Sequence, residues 1–186
     1  MLITLSDAAI GSGLGAAVPP LTVEAGPGVT VLAVETAERP LLVSMLLGGR
    51  LRPDSGSAST DSARVALVDT PVVAEPVPGV SLGSVVAEEL TFAGLPASRG
   101  AVRALLEEHE LLGYEKVAVR AVPPADRVRL FSELALLRDG VEALVVTSPE
   151  RHGGDPAAWL PTLTAIGERG ITVIIVTDLP TAELLS

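Results

Sequence analysis

The chain predicts an α/β domain: a mainly parallel sheet flanked by helices, a small N-terminal antiparallel β unit, and a helical insertion at about 80–138. Three observations point there. The apolar runs are short and bounded by Gly, Pro or charge, as buried strands are. Two of them, 142–147 (EALVVT) and 171–177 (ITVIIVT), flank a helical segment, and so form a βαβ unit with a sheet buried on both faces. The composition is 48% hydrophobic but only 2% aromatic, so an aliphatic core of Ala, Val, Leu and Ile must fill both faces.

The elements follow in order. β segments near 2–5 and 19–25 flank Gly11-Ser12-Gly13-Leu14-Gly15-Ala16, a loose match to a dinucleotide fingerprint. That fingerprint needs a helix at once, and Pro19-Pro20 arrive too soon, so a glycine hairpin is the reading. A strand at 29–34 leads to a helix at about 40–48, where Pro40 suits the first helical position because its missing N–H costs nothing there. Residues 64–69 (RVALVD) read as a strand. The three prolines of 70–80 (TPVVAEPVPGV) make that stretch an irregular loop. Helices follow at about 83–92, at 99–112 between Ser98 and Gly113, and at 124–138 with Val128, Phe131, Leu134, Leu136 and Leu137 on its apolar face. Asp155-Pro156 opens a last helix ending at Gly170, and Pro161 should kink it or mark a later start.

Composition removes several functions. The net charge is −10, with 13 basic residues dispersed against 23 acidic ones, so nucleic acid is not an expected partner. Without cysteine there are no disulfides, thiolate chemistry or Cys-based metal sites. His109 and His152 are too separated for a His-metal motif, and no metal is expected. The one lysine, Lys116, follows no glycine-rich turn, which excludes a standard lysine-bearing phosphate loop. Mean hydropathy is +0.49, yet no stretch approaches 18 uninterrupted apolar residues. The N-terminus lacks the basic-then-apolar order of a signal peptide. The expectation is a single domain over 1–186, cytoplasmic, with no direct membrane insertion.

The segments also carry a family resemblance. The strand at 29–34, a turn, an apolar helix and then Gly48-Gly49-Arg50-Leu51-Arg52-Pro53-Asp54-Ser55-Gly56 resemble the ATP-binding cassette (ABC) ATPases, whose fold is P-loop NTPase-like. Ala143-Leu144-Val145-Val146-Thr147-Ser148-Pro149 resembles their Walker B segment. The helix bearing Arg127, Arg129 and Ala135-Leu136-Leu137 resembles the one that follows their LSGGQ signature. Asp155-Pro156 resembles the D-loop, and ITVIIVTD the strand before the switch histidine. The resemblance spans residue 2 to about 180, and the chain stops soon afterwards, so the family's C-terminal helices are expected to be missing or trimmed.

Within those contexts the reactive residues differ. The phosphate-loop positions correspond to Val34, Ala37, Arg39, Pro40 and Leu41, where the family has GxxGxGK[ST]. The Walker B acids correspond to Thr147 and Ser148, the signature to Val122-Pro123-Pro124-Ala125-Asp126, the Q-loop to Asp69-Thr70, and the switch histidine to Asp178. Glu35 and Glu38 would sit near the phosphates, and one carboxylate 4 Å from a phosphate charge costs about 1–4 kcal/mol. Glu38 is expected to meet the helix dipole where phosphate otherwise would, leaving the site filled.

The resemblance therefore implies a catalytically inactive ABC ATPase-like protein with no cofactor. It would be a structural or regulatory partner of an active ABC ATPase or a membrane permease, held at the inner face of the membrane through that partner, with a homodimer as a further possibility. Its docking surface would lie around 70–80 and the helices after it. Two rival readings are a nucleotide-binding enzyme with a site rebuilt from Arg39 and Asp155, and a stand-alone dimeric regulatory module.

Overall fold

A computed structural model of the protein describes residues 1–35 and 38–185. β1 (Ile3–Ile10), β2 (Val18–Ala25) and β4 (Ser55–Ser59) form an antiparallel sheet in the order β2-β1-β4. β3 (Gly28–Val34), β5 (Val65–Val68), β6 (Ala143–Thr147) and β7 (Thr172–Asp178) form a parallel sheet in the order β3-β7-β6-β5. The six helices described are α1 (Arg39–Leu47), α2 (Leu82–Phe92), α3 (Arg99–Glu108), α4 (Pro124–Leu136), α5 (Pro156–Glu168) and α6 (Leu179–Leu184). Among the described residues no helix is long and apolar enough to cross a membrane.

Alternation along the parallel strands divides the core in two, because successive side chains point to opposite faces. Val68, Leu144, Val146, Val173 and Ile175 meet α2, α4 and α5 on one face. Val65, Leu67, Val145, Ile174 and Val176 meet α1 and the antiparallel sheet on the other. The β-branched runs are buried from both sides, as the sequence predicts. α5 can approach β3 closely because Gly167 has no side chain; a Cβ there would lie 3.0 Å from the backbone of Gly28.

The hairpin reading of 11–16 holds, with β1 extending to Ile10. Ser98 caps α3 by accepting from Ala101 N–H at 3.2 Å. α3 ends earlier than Gly113, because Glu110 takes the left-handed conformation (φ 60°) and Leu111 N–H bonds back to the Leu106 carbonyl. That closure satisfies the last carbonyls and buries Leu111. Pro161 lies inside α5 without ending it; both Pro161 and Ala157, whose carbonyl it leaves unbonded, are exposed to water. β4 and α6 have no counterpart among the sequence expectations. β4 (SGSAS) lacks apolar alternation, and its place depends on Gly56, where a Cβ would lie 2.2 Å from the Asp7 carbonyl oxygen. β2 forms the outer edge of its sheet and carries the exposed Pro19 and Pro20 there.

Candidate functional site

The carboxyl ends of β3, β6 and β7 meet the start of α1 around a cavity of about 750 Å³. Crevices at this end of open α/β sheets are where such folds bind ligands. Val34, Pro40, Leu41, Leu42 and Pro71 give the cavity an apolar floor. Glu35, Glu38, Glu150 and Asp178 also line it, with Arg151 as the lining cation.

The expected residues other than Ala37 have definite positions. Val34 is buried at the end of β3, and Pro40 and Leu41 form the first turn of α1. Ala37 lies outside the described residues. Arg39 turns away from the cavity: its Nε donates to the Ala17 carbonyl at 3.1 Å and its Nη1 to Glu35 at 3.1 Å. Asp155 caps α5 by accepting from Ala157 N–H at 2.9 Å. Neither Arg39 nor Asp155 lines the cavity, so the pair on which a rebuilt phosphate site would depend is engaged elsewhere.

Glu38 corrects one expectation. It occupies the N-cap position of α1, but its side chain makes no capping bond and stays exposed. Its backbone is helical (φ −90°, ψ −26°), whereas a capping side chain folds back from an extended backbone. The region is thus an open cleft and not a filled one.

Thr147 ends β6 fully buried, where its hydroxyl contacts Thr70 Oγ1 at 2.7 Å and donates to Ser44 Oγ at 2.8 Å. This chain of neutral hydroxyls joins α1, the β5 exit and β6. Ser148 takes a left-handed backbone (φ 46°) and donates its N–H to the Val176 carbonyl at 2.7 Å. Asp178 caps α6 by accepting from Thr181 N–H at 2.8 Å, and Glu150 accepts from Thr177 at 2.7 Å.

Beside the cavity lies a charged hub that sequence reasoning missed. Asp69, buried at the exit of β5, accepts from Arg127 Nε at 2.6 Å and Arg127 Nη2 at 2.7 Å. Arg151 lies 3.3 Å from Asp69 Oδ1, and His152 Nε2 lies 2.9 Å from Oδ2 without the alignment of a hydrogen bond. Burial raises the Asp69 pKa, but His152, Arg127 and the charge of Arg151 more than offset it, and the carboxyl is lowered to about 2. Arg151 also donates to the carbonyls of Asp69, Thr147 and Ser148, and lies 3.4 Å from Glu75. The guanidinium that lines the cavity is therefore committed to the protein.

Asp69, Glu75 and His152 bring ligand atoms within 4.8 Å of one another. They do not fit a metal, because a bidentate guanidinium already occupies both Asp69 oxygens and a second cation stands beside them. The sequence clue to the hub is Arg127 itself. It precedes Leu130, Phe131 and Leu134 at helical spacing, which puts a charge on a buried face that only a carboxylate can compensate.

No protein-family model and no curated protein sequence matches the chain. Solved structures do. A putative ABC transporter ATP-binding protein from Pyrococcus furiosus superposes with a TM-score of 0.68 at 13% identity, over 96% of this chain and 92% of that one. The dimeric structure of a bacterial ABC transporter cassette gives 0.69 at 15% identity, over 97% and 90%.

The fold is that of an ATP-binding cassette.

A third cassette, cbiO1 from Clostridium perfringens, described as part of the ABC transporter complex cbiONQ, gives 0.65 at 16% identity over 95% and 78%. All three agree with the α/β architecture expected from the sequence: a parallel sheet, a separate antiparallel sheet and a helical segment between β5 and β6.

Proposed function

We propose that this chain is a single ABC ATPase-like unit that does not hydrolyse ATP and acts as a structural or regulatory partner in an ABC transporter complex. One observation carries the reading. The cavity at the β3–α1 turn, where the resemblance puts the phosphate loop, is lined by four carboxylates and a single arginine already bound to four protein oxygens. A triphosphate there would meet like charge at several points and, among the described residues, no free cation. Thr147 and Ser148 stand where the family's magnesium-holding and water-polarising acids would, and Thr147 is spent on neutral hydroxyls.

The contact surface proposed for this role is the 70–80 loop with α2. Val72 is 93% exposed, Val77 67% and Phe92 63%. A groove of about 470 Å³ runs between Val73, Pro76, Val85 and Phe92. Val72 holds a left-handed backbone (φ 65°), costly for a β-branched residue, and the three prolines reduce the loop's freedom before any contact forms. Such a unit would sit at the inner face of a membrane through its partner, as cbiO1 is part of a larger assembly.

Titration calorimetry with Mg-ATP tests the first part. No heat is expected at millimolar ligand, and micromolar affinity would overturn the reading. Pull-down with an active ABC ATPase and an ABC permease tests the second, and capture of neither sinks it.

A further inference from the structure

We propose that the cavity at the β3–α1 turn binds a basic, partly apolar protein segment: an arginine or lysine of a partner chain set among apolar neighbours. This rests on the reading of the chain as a non-hydrolysing partner and names the chemistry this cavity accepts.

The volume, about 750 Å³, is that of a ligand site, and the floor of Val34, Pro40, Leu41, Leu42 and Pro71 is apolar. Apolar contact alone would accept many occupants; the rim selects among them. Glu38, Glu150 and Asp178 reach the cavity from three different elements, and among the described residues none has a cationic partner. Glu38 makes no capping bond, Glu150 accepts only from the Thr177 hydroxyl, and Asp178 accepts only from a backbone N–H. Glu35 is paired with Arg39, and Arg151 is consumed by the Asp69 hub.

The site thus presents uncompensated negative charge above an apolar base. A lysine or arginine side chain matches both parts, since its methylene stem lies on apolar surface while its head meets carboxylates. A bare metal ion leaves the floor exposed, and a polyamine lacks the apolar flank to cover it. The mouth is open to solvent, as a segment of a larger chain requires. Charge complementarity of this kind sets partner choice and encounter rate.

Fluorescence anisotropy of the whole protein with a labelled, capped Leu-Arg-Leu-Arg-Leu peptide tests the proposal. Binding should weaken on the order of tenfold in the E38Q/E150Q/D178N triple variant, since charge pairs govern such contacts. Gln and Asn keep the Thr177 and Thr181 hydrogen bonds, so the fold is retained. E38Q alone, at an exposed residue with no bonds, should weaken binding about two- to threefold. E107Q/E108Q, exposed acids on α3, should change it less than about twofold, which separates this cavity from general attraction to an acidic protein.

Equal losses in the cavity and α3 variants, or equal binding of a Leu-Glu-Leu-Glu-Leu peptide, overturn the proposal. Displacement by spermidine at comparable affinity also overturns it, in favour of a small cation. Mg-ATP binding in calorimetry instead breaks the underlying functional reading, so the two failures are distinguishable.

Discussion

Carboxylates near the carboxyl ends of the parallel strands are treated in two opposite ways. Asp69 is buried and surrounded by Arg127, Arg151 and His152, with both oxygens occupied. Glu38, Glu150 and Asp178 face the cavity, and among the described residues none of them is paired with a cation. The chain has 13 basic residues against 23 acidic ones, so positive charge is the scarce resource. Two arginines at the centre are used to lock the β5 exit, α4 and the segment after β6 together. The contrast teaches that the charge which nucleotide chemistry would need at the cavity is invested in architecture beside it.

The comparison can be broken most sharply at the hub. Asp69→Asn tolerates the left-handed backbone at this position (φ 50°) but leaves the buried Arg127 with only Glu75, 3.9 Å away, as counter-charge. A loss of about 3–5 kcal/mol in urea unfolding is expected. The double change Asp69→Asn with Arg127→Met should cost less than Asp69→Asn alone, since no orphan charge remains. An additive result would mean the two side chains do not act as a pair.

Acid comes next. The Asp69 carboxyl is depressed from 3.8 to about 2 in the folded protein, so its contribution is complete above pH ~4 and disappears as pH falls through about 2. The amount is on the order of 2 kcal/mol. A carboxyl-carbon NMR titration of Asp69 checks it directly, and a midpoint near 4 would mean the hub confers nothing.

Val72→Gly releases a β-branched residue from φ 65° and should raise stability by about 1 kcal/mol while weakening partner capture. Thermal melts and pull-downs read the two effects separately. The smallest effect belongs to the cavity rim. Glu38→Gln should change the unfolding free energy by less than about 0.5 kcal/mol, because the residue is exposed and makes no side-chain capping bond. A large shift there would erase the distinction between the two groups.

How legible these features were depended on the range of the interactions behind them. β6 and β7 announce themselves through runs such as ITVIIVT, because burial on both faces demands uninterrupted apolar residues. β4 does not, since SGSAS is held by its pairing with β1 and by the missing side chain of Gly56, neither of which leaves an apolar pattern. α6 was hidden by its shortness, its cue reduced to the single cap Asp178. Order and spacing single out Val34, Pro40, Leu41, Ser148 and Asp178, which line the cavity, whereas Glu150 and Arg151 belong to no motif that would mark them. The Asp69–Arg127 pair joins residues 58 positions apart, a separation that no local window spans. Glu38 shows the limit from the other side: its N-terminal position was predictable, but whether its side chain folds back depends on a backbone angle.

Pro19 and Pro20 on the outer rim of β2 have a consequence for association. Neither residue has an N–H. Successive N–H groups of a strand point to opposite sides, so one of the two positions faces the free border, where a strand arriving from another molecule finds the backbone ladder interrupted. Growth of this sheet from molecule to molecule is disfavoured along that border, and a highly aliphatic polypeptide gains a safeguard against fibrous self-templating.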